Sequence, residues 1–338
     1  MAETAPRLIY GEEAADLSVL EGRRIAVLGY GNQGRAQALN MRDSGLSGII
    51  VGSVRDASWE RAAADGFSPL PIADAVAGAD IVFLLLPDEV APEVFPRDVK
   101  PNLGAGDALV LASGYNLAFG GIEAPPAVDV LLLAPRMIGE KMRELYQAGD
   151  GFYSFVSVER DGSGRAWPTL LALAGAIGSL RKGAMVLSAR EEAVLDLYME
   201  QGFGALLGRI LFSTLQVGME AGLPAEALVL ELYLSGEMAQ TFQAMAELGL
   251  TAQASLHSLT SQYGSLMQTL SLDGSPFQSH LQQALDGVAS GRFAAEWSAE
   301  RAAGYPEFKR ARELAQKANP FTEIENKLRA AMDGGRDP

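Results

Sequence analysis

The segment IAVLGYGNQG, residues 25–34, constrains the fold more than any other part of the chain. An apolar run of strand character enters Gly29-Tyr30-Gly31-Asn32-Gln33-Gly34, and a helical pattern leaves through RAQALNMRDSG. The six residues match G-x-G-x-x-G, and each glycine has a physical task. The first permits the tight turn, the second lets backbone approach a pyrophosphate, and the third lets the helix pack on the strand. The helix N-terminus then faces the phosphates. As an isolated string the motif also fits a merely structural turn. Between a strand and a helix it predicts a dinucleotide site with Gly29, Tyr30, Gly31, Asn32, Gln33 and Gly34 as contacts.

The following sequence extends that rhythm. The runs IAVLGYG, GIIVGSV, DIVFLLLP, ALVLASG, DVLLLAP and FYSFVSV alternate with helical patterns. Continuous apolar runs of this length suit parallel strands buried on both faces, as in a doubly wound sheet. From Glu191 to Met332 no strand pattern is convincing, and helices are expected at 191–217, 224–248, 252–271, 276–290, 293–303, 306–317 and 320–332. Pro224, Pro276, Pro306 and Pro320 sit near their starts, where proline is tolerated. The expected organisation is an α/β Rossmann domain over 1–185, an all-helical domain over 186–332 and a loose tail over 333–338.

Composition narrows the function. With 27 basic and 42 acidic residues the formal charge is −15, which argues against sequence-independent nucleic-acid binding. The absence of cysteine excludes disulfides, thiolate zinc sites and cysteine nucleophiles. No signal peptide and no membrane span are expected, so a cytoplasmic location is.

Cofactor choice rests on the loop VGSVRDASWERA. Ser53, Arg55 and Ser58 offer contacts for a 2′-phosphate. Asp56 among them would repel one, and a solvated polar loop is the plainer alternative. The pattern tips slightly to NADP(H) over NAD(H). Leu86, Pro87 and Gly114 complete the candidate cofactor contacts.

In the helical half, Asp196 and Glu200 of EEAVLDLYMEQ are four residues apart on one helical face. Oxygen ligands presented this way suit Mg2+, although by pattern alone a solvated acidic face is the plainer reading.

IAVLGYGNQGRAQALNMRDSG, LLLPDEV, KPNLGAGDAL, LASGYNLAFG, LLLAPR, DLYMEQ, SQYG and GYPEFKRAR together resemble ketol-acid reductoisomerase of the short-chain type, in order from about Asp16 to Met332. The resemblance implies a Rossmann domain followed by a knotted all-helical domain, and a homodimer, or a higher oligomer, whose subunits share the active site. It implies NADP(H) or NAD(H), two Mg2+, and a small hydroxy or keto acid as substrate. Asp196 and Glu200 fall on the family's metal ligands, and Ser258, five residues before Tyr263, falls on its substrate-binding serine.

The chain departs from that family at the chemistry. Ser113 in ASGYN stands where the family has a histidine, and a serine cannot shuttle a proton near neutral pH as imidazole can. Arg136 in APRMIGE stands at the catalytic lysine, keeping the charge without a titratable proton. Met137 and Ile138 are bulkier than the family's small residues there, and Glu140 adds a negative charge. The E-x-x-x-E pair expected from the partner subunit after Pro224 is missing. Aligned from one side Glu231 and Ser235 fill it, and from the other Tyr233 and Glu237, leaving Glu231 or Glu237 as third metal and substrate contact. His257 and His280 read as structural.

The surviving parts imply hydride transfer and chelation without the standard alkyl shift, with Asp196, Glu200, Arg136 and Ser113 as the catalytic set. A chelated 2,3-dihydroxy acid could be oxidised, react as its enolate and be reduced again. The pattern resembles family members recruited into secondary metabolism, the cyclopropanol-forming branch of the malleicyprol pathway. There a sulfonium-bearing dihydroxy acid (gonydiol) closes to a cyclopropanol acid (trigonic acid) with loss of dimethyl sulfide. The alternatives are a genuine ketol-acid reductoisomerase of branched-chain amino-acid biosynthesis and a non-catalytic cofactor-binding protein.

Overall fold

In a computed structural model, which describes residues 9–317 and 321–332, the chain divides into two compact units, Met1–Asp196 and Leu197–Pro338. The expected tail over 333–338 and Pro320 lie outside the described residues.

The first unit is built on one eight-stranded sheet. Its strands are β1 (Ile9–Tyr10), β2 (Ile25–Leu28), β3 (Ile49–Gly52), β4 (Ile81–Leu84), β5 (Ala108–Leu111), β6 (Asp129–Pro135), β7 (Tyr153–Arg160) and β8 (Gly183–Val186), in the order β1-β8-β7-β6-β5-β4-β2-β3. The apolar runs become strands because each buries both faces. Val27, Phe83 and Val110 point into one hydrophobic layer, while Ala26, Leu28, Val82, Leu84, Leu109 and Leu111 point into the other. Helices α1 (Asn32–Asp43), α6 (Gly139–Ala148) and α7 (Ala166–Ile177) cover the first layer. Helices α2 (Ala57–Ala64), α3 (Ile72–Ala77), α4 (Ala91–Val94) and α5 (Tyr115–Ala118) follow β3, β4 and β5.

Two sequence expectations need correction. FYSFVSV is not a further strand parallel to β6: β7 pairs antiparallel with β6 and parallel only with β8. Strands β1 and β8 were not expected, since two and four residues carry too little periodicity; β1 pairs antiparallel with β8 and closes that side. The switch point lies between β2 and β4, both parallel, where the chain turns from β3 on one side to β4 on the other. The crevice beyond their carboxyl ends is the expected ligand position in such sheets.

The first unit ends within helix α8 (Ala189–Tyr198), which continues as a π-helical stretch, Met199–Gly204, into α9 (Ala205–Glu220). The second unit follows with α10 (Ala225–Val229), a π-helical stretch Leu230–Leu234, α11 (Glu237–Leu248), α12 (Leu259–Ser271), α13 (Ser275–Ala289), α14 (Arg292–Ala302), α15 (Pro306–Lys317) and α16 (Thr322–Met332). Among the described residues it contains no strand. Its small core gathers Leu215, Val229 and Phe321. Many apolar side chains stay exposed, among them Val217, Leu250, Leu259 and Leu270 at 64, 74, 82 and 72%. By length and composition alone the helical run Ala189–Glu220 could cross a membrane, which the sequence reading had not anticipated.

Candidate active site

The glycine turn follows β2 and does what its spacing predicts. Gly29 has φ +89°, a left-handed backbone, and a Cβ there would lie 2.7 Å from the Leu85 carbonyl oxygen. A Cβ on Gly34 would lie 2.0 Å from the Gly29 carbonyl oxygen, so helix and turn touch only because it is absent. Gly31 faces open space and caps α1 without a side-chain hydrogen bond, which leaves its first-turn amides for an anion.

The side chains of the motif are occupied by the protein. Tyr30 is fully buried, its ring edge-on to Phe67 at 5.7 Å and its hydroxyl donating to Asp65 Oδ2 at 3.0 Å. Arg35 holds the same carboxylate through Nε at 2.6 Å. Gln33 Nε2 donates to the Met137 carbonyl at 3.0 Å, and Asn32 Oδ1 accepts the Gly139 backbone N–H. The turn therefore offers a cofactor its backbone, while its side chains fasten the segment Arg136–Glu140 against it.

Between the carboxyl ends of β4 and β5 and the start of α1 lies a cavity of about 190 Å3. Its walls include Gln33, Leu86, Pro87 and Ser113. Asn116, which the sequence reading missed, is also there, buried and donating to Asp88 Oδ1 at 3.0 Å. A second cavity of about 340 Å3 beside Gly31 and Asn32 is lined by Arg35, Arg61, Arg143 and Glu140. The structure thus puts Glu140 among arginines on the cofactor-turn side.

In the loop after β3, Ser53 is buried and the Arg55 guanidinium stacks over the Trp59 ring at 4.7 Å. Asp56 caps α2, its Oδ1 accepting the backbone N–H of Ser58 at 2.9 Å and of Trp59 at 3.3 Å. The amides that a 2′-phosphate would seek are taken by a carboxylate.

The densest charge cluster surrounds Arg136 at the end of β6. Its Nη1 donates to Glu192 Oε1 at 3.0 Å, its Nη2 to Asp196 Oδ1, and its guanidinium lies over the Phe155 ring at 5.1 Å. Glu192 is 2% exposed and also accepts the Gly114 backbone N–H at 2.7 Å. Burial pushes its carboxyl up to about 7, against the Gly114 hydrogen bond, with Asp196 raising it further and Arg136 lowering it. Gly114 must be glycine, because a Cβ would meet the Ala189 carbonyl oxygen at 1.9 Å. Ser113 Oγ accepts the Tyr115 backbone N–H at 3.2 Å. Glu192 escaped the sequence reading although the signal was there: Glu192, Asp196 and Glu200 recur every four residues along one helix.

The other expected ligands lie in the second unit. Glu200 sits in the π-helical stretch after α8 and Glu231 in the one after α10. Such stretches often mark functional sites. Glu231 and Glu237 line a cavity of about 740 Å3 within the helical unit, together with His257 and Ser261. Ser258 caps α12, its Oγ accepting the Ser261 N–H at 3.3 Å. Among the described residues no three His, Cys, Asp or Glu side chains gather as a metal site within one chain. Asp196 Oδ1 is already engaged by the Arg136 guanidinium.

The family descriptions "Acetohydroxy acid isomeroreductase, NADPH-binding domain" and "Ketol-acid reductoisomerase, C-terminal domain" match residues 19–183 and 190–334. A Saccharolobus solfataricus protein carrying a ketol-acid reductoisomerase name is 40% identical over 305 residues, 89% of this chain and 91% of that one. The ketol-acid reductoisomerase (NADP(+)) of Methanopyrus kandleri is 37% identical over 96% of this chain and 98% of its own length. The structure of an NADH-preferring ketol-acid reductoisomerase from an uncultured archaeon superposes with a TM-score of 0.88 at 33% identity, covering 95% of this chain and 98% of that one. With both halves matched and full-length relatives above 30% identity, the chain belongs to the ketol-acid reductoisomerase family and is an NAD(P)-dependent oxidoreductase of that kind.

Proposed function

We propose that this protein oxidises and re-reduces a 2,3-dihydroxy acid in a redox-neutral cycle, and that its substrate carries a sulfonium leaving group. The specific reaction proposed is closure of gonydiol to trigonic acid with release of dimethyl sulfide. One observation carries the reading. Arg136, where the family resemblance puts a lysine, is locked between Glu192 and Asp196, and Glu192 also accepts the N–H of Gly114, next to Ser113, where a histidine is expected. A guanidinium keeps its protons at any working pH, so this corner stabilises negative charge without relaying a proton.

Asp196, Glu200 and one of Glu231 and Glu237 of the partner subunit would hold Mg2+, which would acidify a chelated hydroxyl, and a bound nicotinamide would accept hydride and give it back. The residues of the chain do the rest. The open amides at Gly31 hold the pyrophosphate, and the cavity walls at Leu86, Pro87 and Ser113 exclude water from the ring. Arg136 stabilises the oxyanion of the enolate left when the carbon beside the new ketone loses its proton. That carbon then bonds to the carbon bearing sulfur as the carbon–sulfur bond breaks, and dimethyl sulfide leaves with the electron pair; the ketone left would accept the stored hydride to become the alcohol again. Ser258 holds the substrate carboxylate. The Asp56 cap at α2 supports NAD(H) rather than the NADP(H) towards which the loop composition pointed. The exposed apolar faces of the helical unit support a homodimer, which would also cover the run Ala189–Glu220.

The second reading is a genuine ketol-acid reductoisomerase, and the names of the full-length relatives favour it directly. Mass spectrometry separates the two. The purified protein is incubated with Mg2+, NAD+ or NADP+ and a panel of 2,3-dihydroxy acids with and without a sulfonium group, and separately with 2-acetolactate and reduced cofactor. Released dimethyl sulfide supports the first reading; robust conversion of 2-acetolactate to dihydroxyisovalerate overturns it in favour of the second.

A further inference from the structure

Helix α1 carries three side-chain amides at helical spacing, the half-buried Gln33 and the fully buried Gln37 and Asn40. Asn40 uses both ends of its amide. Its Nδ2 donates to the Ile177 carbonyl at 3.0 Å and its Oδ1 accepts from Arg143 Nη1 at 2.9 Å, so it ties α1 to α7 and α6. Gln37 is different. Its Nε2 donates to Gln33 Oε1 at 3.1 Å, but its own Oε1 accepts no hydrogen bond among the described residues. A buried acceptor left in that state costs about 1–3 kcal/mol. A methionine of similar shape would fill the same space without that cost, so packing does not account for an amide here.

The order of the hydrogen bonds does account for it. A backbone carbonyl only accepts, so Met137 requires Gln33 to turn its Nε2 that way, at 3.0 Å. Gln33 Oε1 then faces Gln37, which must answer with an N–H and leave its own oxygen unmatched. Reversing the Gln33 amide would set its oxygen against the Met137 carbonyl. We infer that Gln37 is a positioning residue for dinucleotide binding, whose buried amide locks the polarity of Gln33. Met137 uses one of the two N–H donors on Gln33 Nε2. The second is kept for an acceptor oxygen of the cofactor in the cavity of about 190 Å3 that Gln33 lines. A ligand there meets a donor and never a carbonyl oxygen. Through Met137 the same relay runs from the interior of α1 to the residue beside Arg136.

The test is titration of the full-length native protein, Gln37→Met, Gln33→Met and the double variant with NADH and with NADPH. Binding is read by reduced-nicotinamide fluorescence, and the urea midpoint of each protein is measured alongside. Gln37→Met is expected to weaken the dinucleotide that the native protein binds by about tenfold. Its midpoint should be unchanged or raised, since the unmatched acceptor leaves with the amide. Gln33→Met is expected to weaken binding at least as much, and the double variant no further, because Gln37 acts through Gln33. Gln37→Leu serves if Gln37→Met does not fold. Native affinity in a folded Gln37 variant overturns the inference, and a lowered midpoint with unchanged affinity assigns Gln37 to the fold alone and overturns it too. Losses that add in the double variant also overturn it, because Gln37 then acts by another route. A native protein that binds neither dinucleotide overturns both the inference and the cofactor site.

Discussion

The side-chain oxygen of Asn32 accepts the backbone N–H of Gly139, so the first residue of α1 also caps α6. A Cβ on Gly139 would lie 1.9 Å from the Asn32 carbonyl oxygen, so the two turns meet at backbone distance. The cofactor turn and the segment bearing Arg136 are therefore one mechanical unit. Asn32→Ala should cost about 1 kcal/mol, the usual loss for a capping acceptor, read as a lowered midpoint in urea. Asn32→Asp keeps the acceptor and should restore stability. It should still weaken dinucleotide binding in a fluorescence titration, because it places a carboxylate where the helix N-terminus attracts phosphate.

Gly34 tests the packing role of the third glycine. Gly34→Ala places a methyl 2.0 Å from the Gly29 carbonyl oxygen, and only backbone can give way. A destabilisation of about 1–3 kcal/mol is expected from such overpacking. Dinucleotide affinity should fall by about tenfold or more, since the same shift moves the pyrophosphate amides. A variant that binds NAD(H) or NADP(H) as the native protein does would remove the turn from the cofactor site.

Asp65 joins Tyr30, Arg35 and Arg42 through hydrogen bonds at 3.0, 2.6 and 2.6 Å, the last to its backbone carbonyl. The Arg35 hydrogen bond holds its carboxyl below the usual carboxylate range, with the Tyr30 hydroxyl adding to the effect against partial burial. Burial and Asp65 together keep the Tyr30 phenol protonated well beyond its ordinary range. Because the folded-state value of Asp65 is depressed, its stabilisation is present above the unfolded value of 3.8 and is lost as pH falls through the folded value. Asp65→Asn should cost about 1.5–3 kcal/mol near neutrality, as for a hydrogen bond to a charged group. The gap from the native protein should close in acid denaturation curves below that range.

Glu192 predicts the opposite slope. Its folded-state value, about 7, lies above the unfolded 4.5, so between them the native state holds a proton that the unfolded chain has released. Its contribution is fully present below 4.5 and declines as pH rises to about 7. Glu192→Gln cannot ionise, so its stability should be flatter across that window by roughly 1–3 kcal/mol. Chemical denaturation at several pH values reads the difference. A native protein and variant with parallel profiles would mean that Arg136 keeps Glu192 ionised throughout.

Much of the site was legible because glycine spacing and strand–helix order are local properties. Gly29, Gly31 and Gly34 declare a turn whose backbone must do what the structure has it do. The neighbouring strands follow from apolar runs that have to be buried on two faces. What stayed hidden depends on partners far away in the chain. Tyr30 reads as part of a cofactor motif, yet its ring points into the core because Phe67 and Asp65 receive it. Arg136 reads as a departure from the family, but nothing local says that it meets Glu192, 56 residues later.

The α/β-then-helical plan, the cofactor turn and the family all follow from residue order, because each is written in short-range pattern or in ordered motifs. Folding alone makes β7 antiparallel to β6, commits the Asp56 carboxylate to a helix cap and sets a guanidinium against Asp196. Those outcomes depend on which unsatisfied donors and acceptors are brought within about 3 Å of each other when the sheet closes, a distance condition that residue order does not encode.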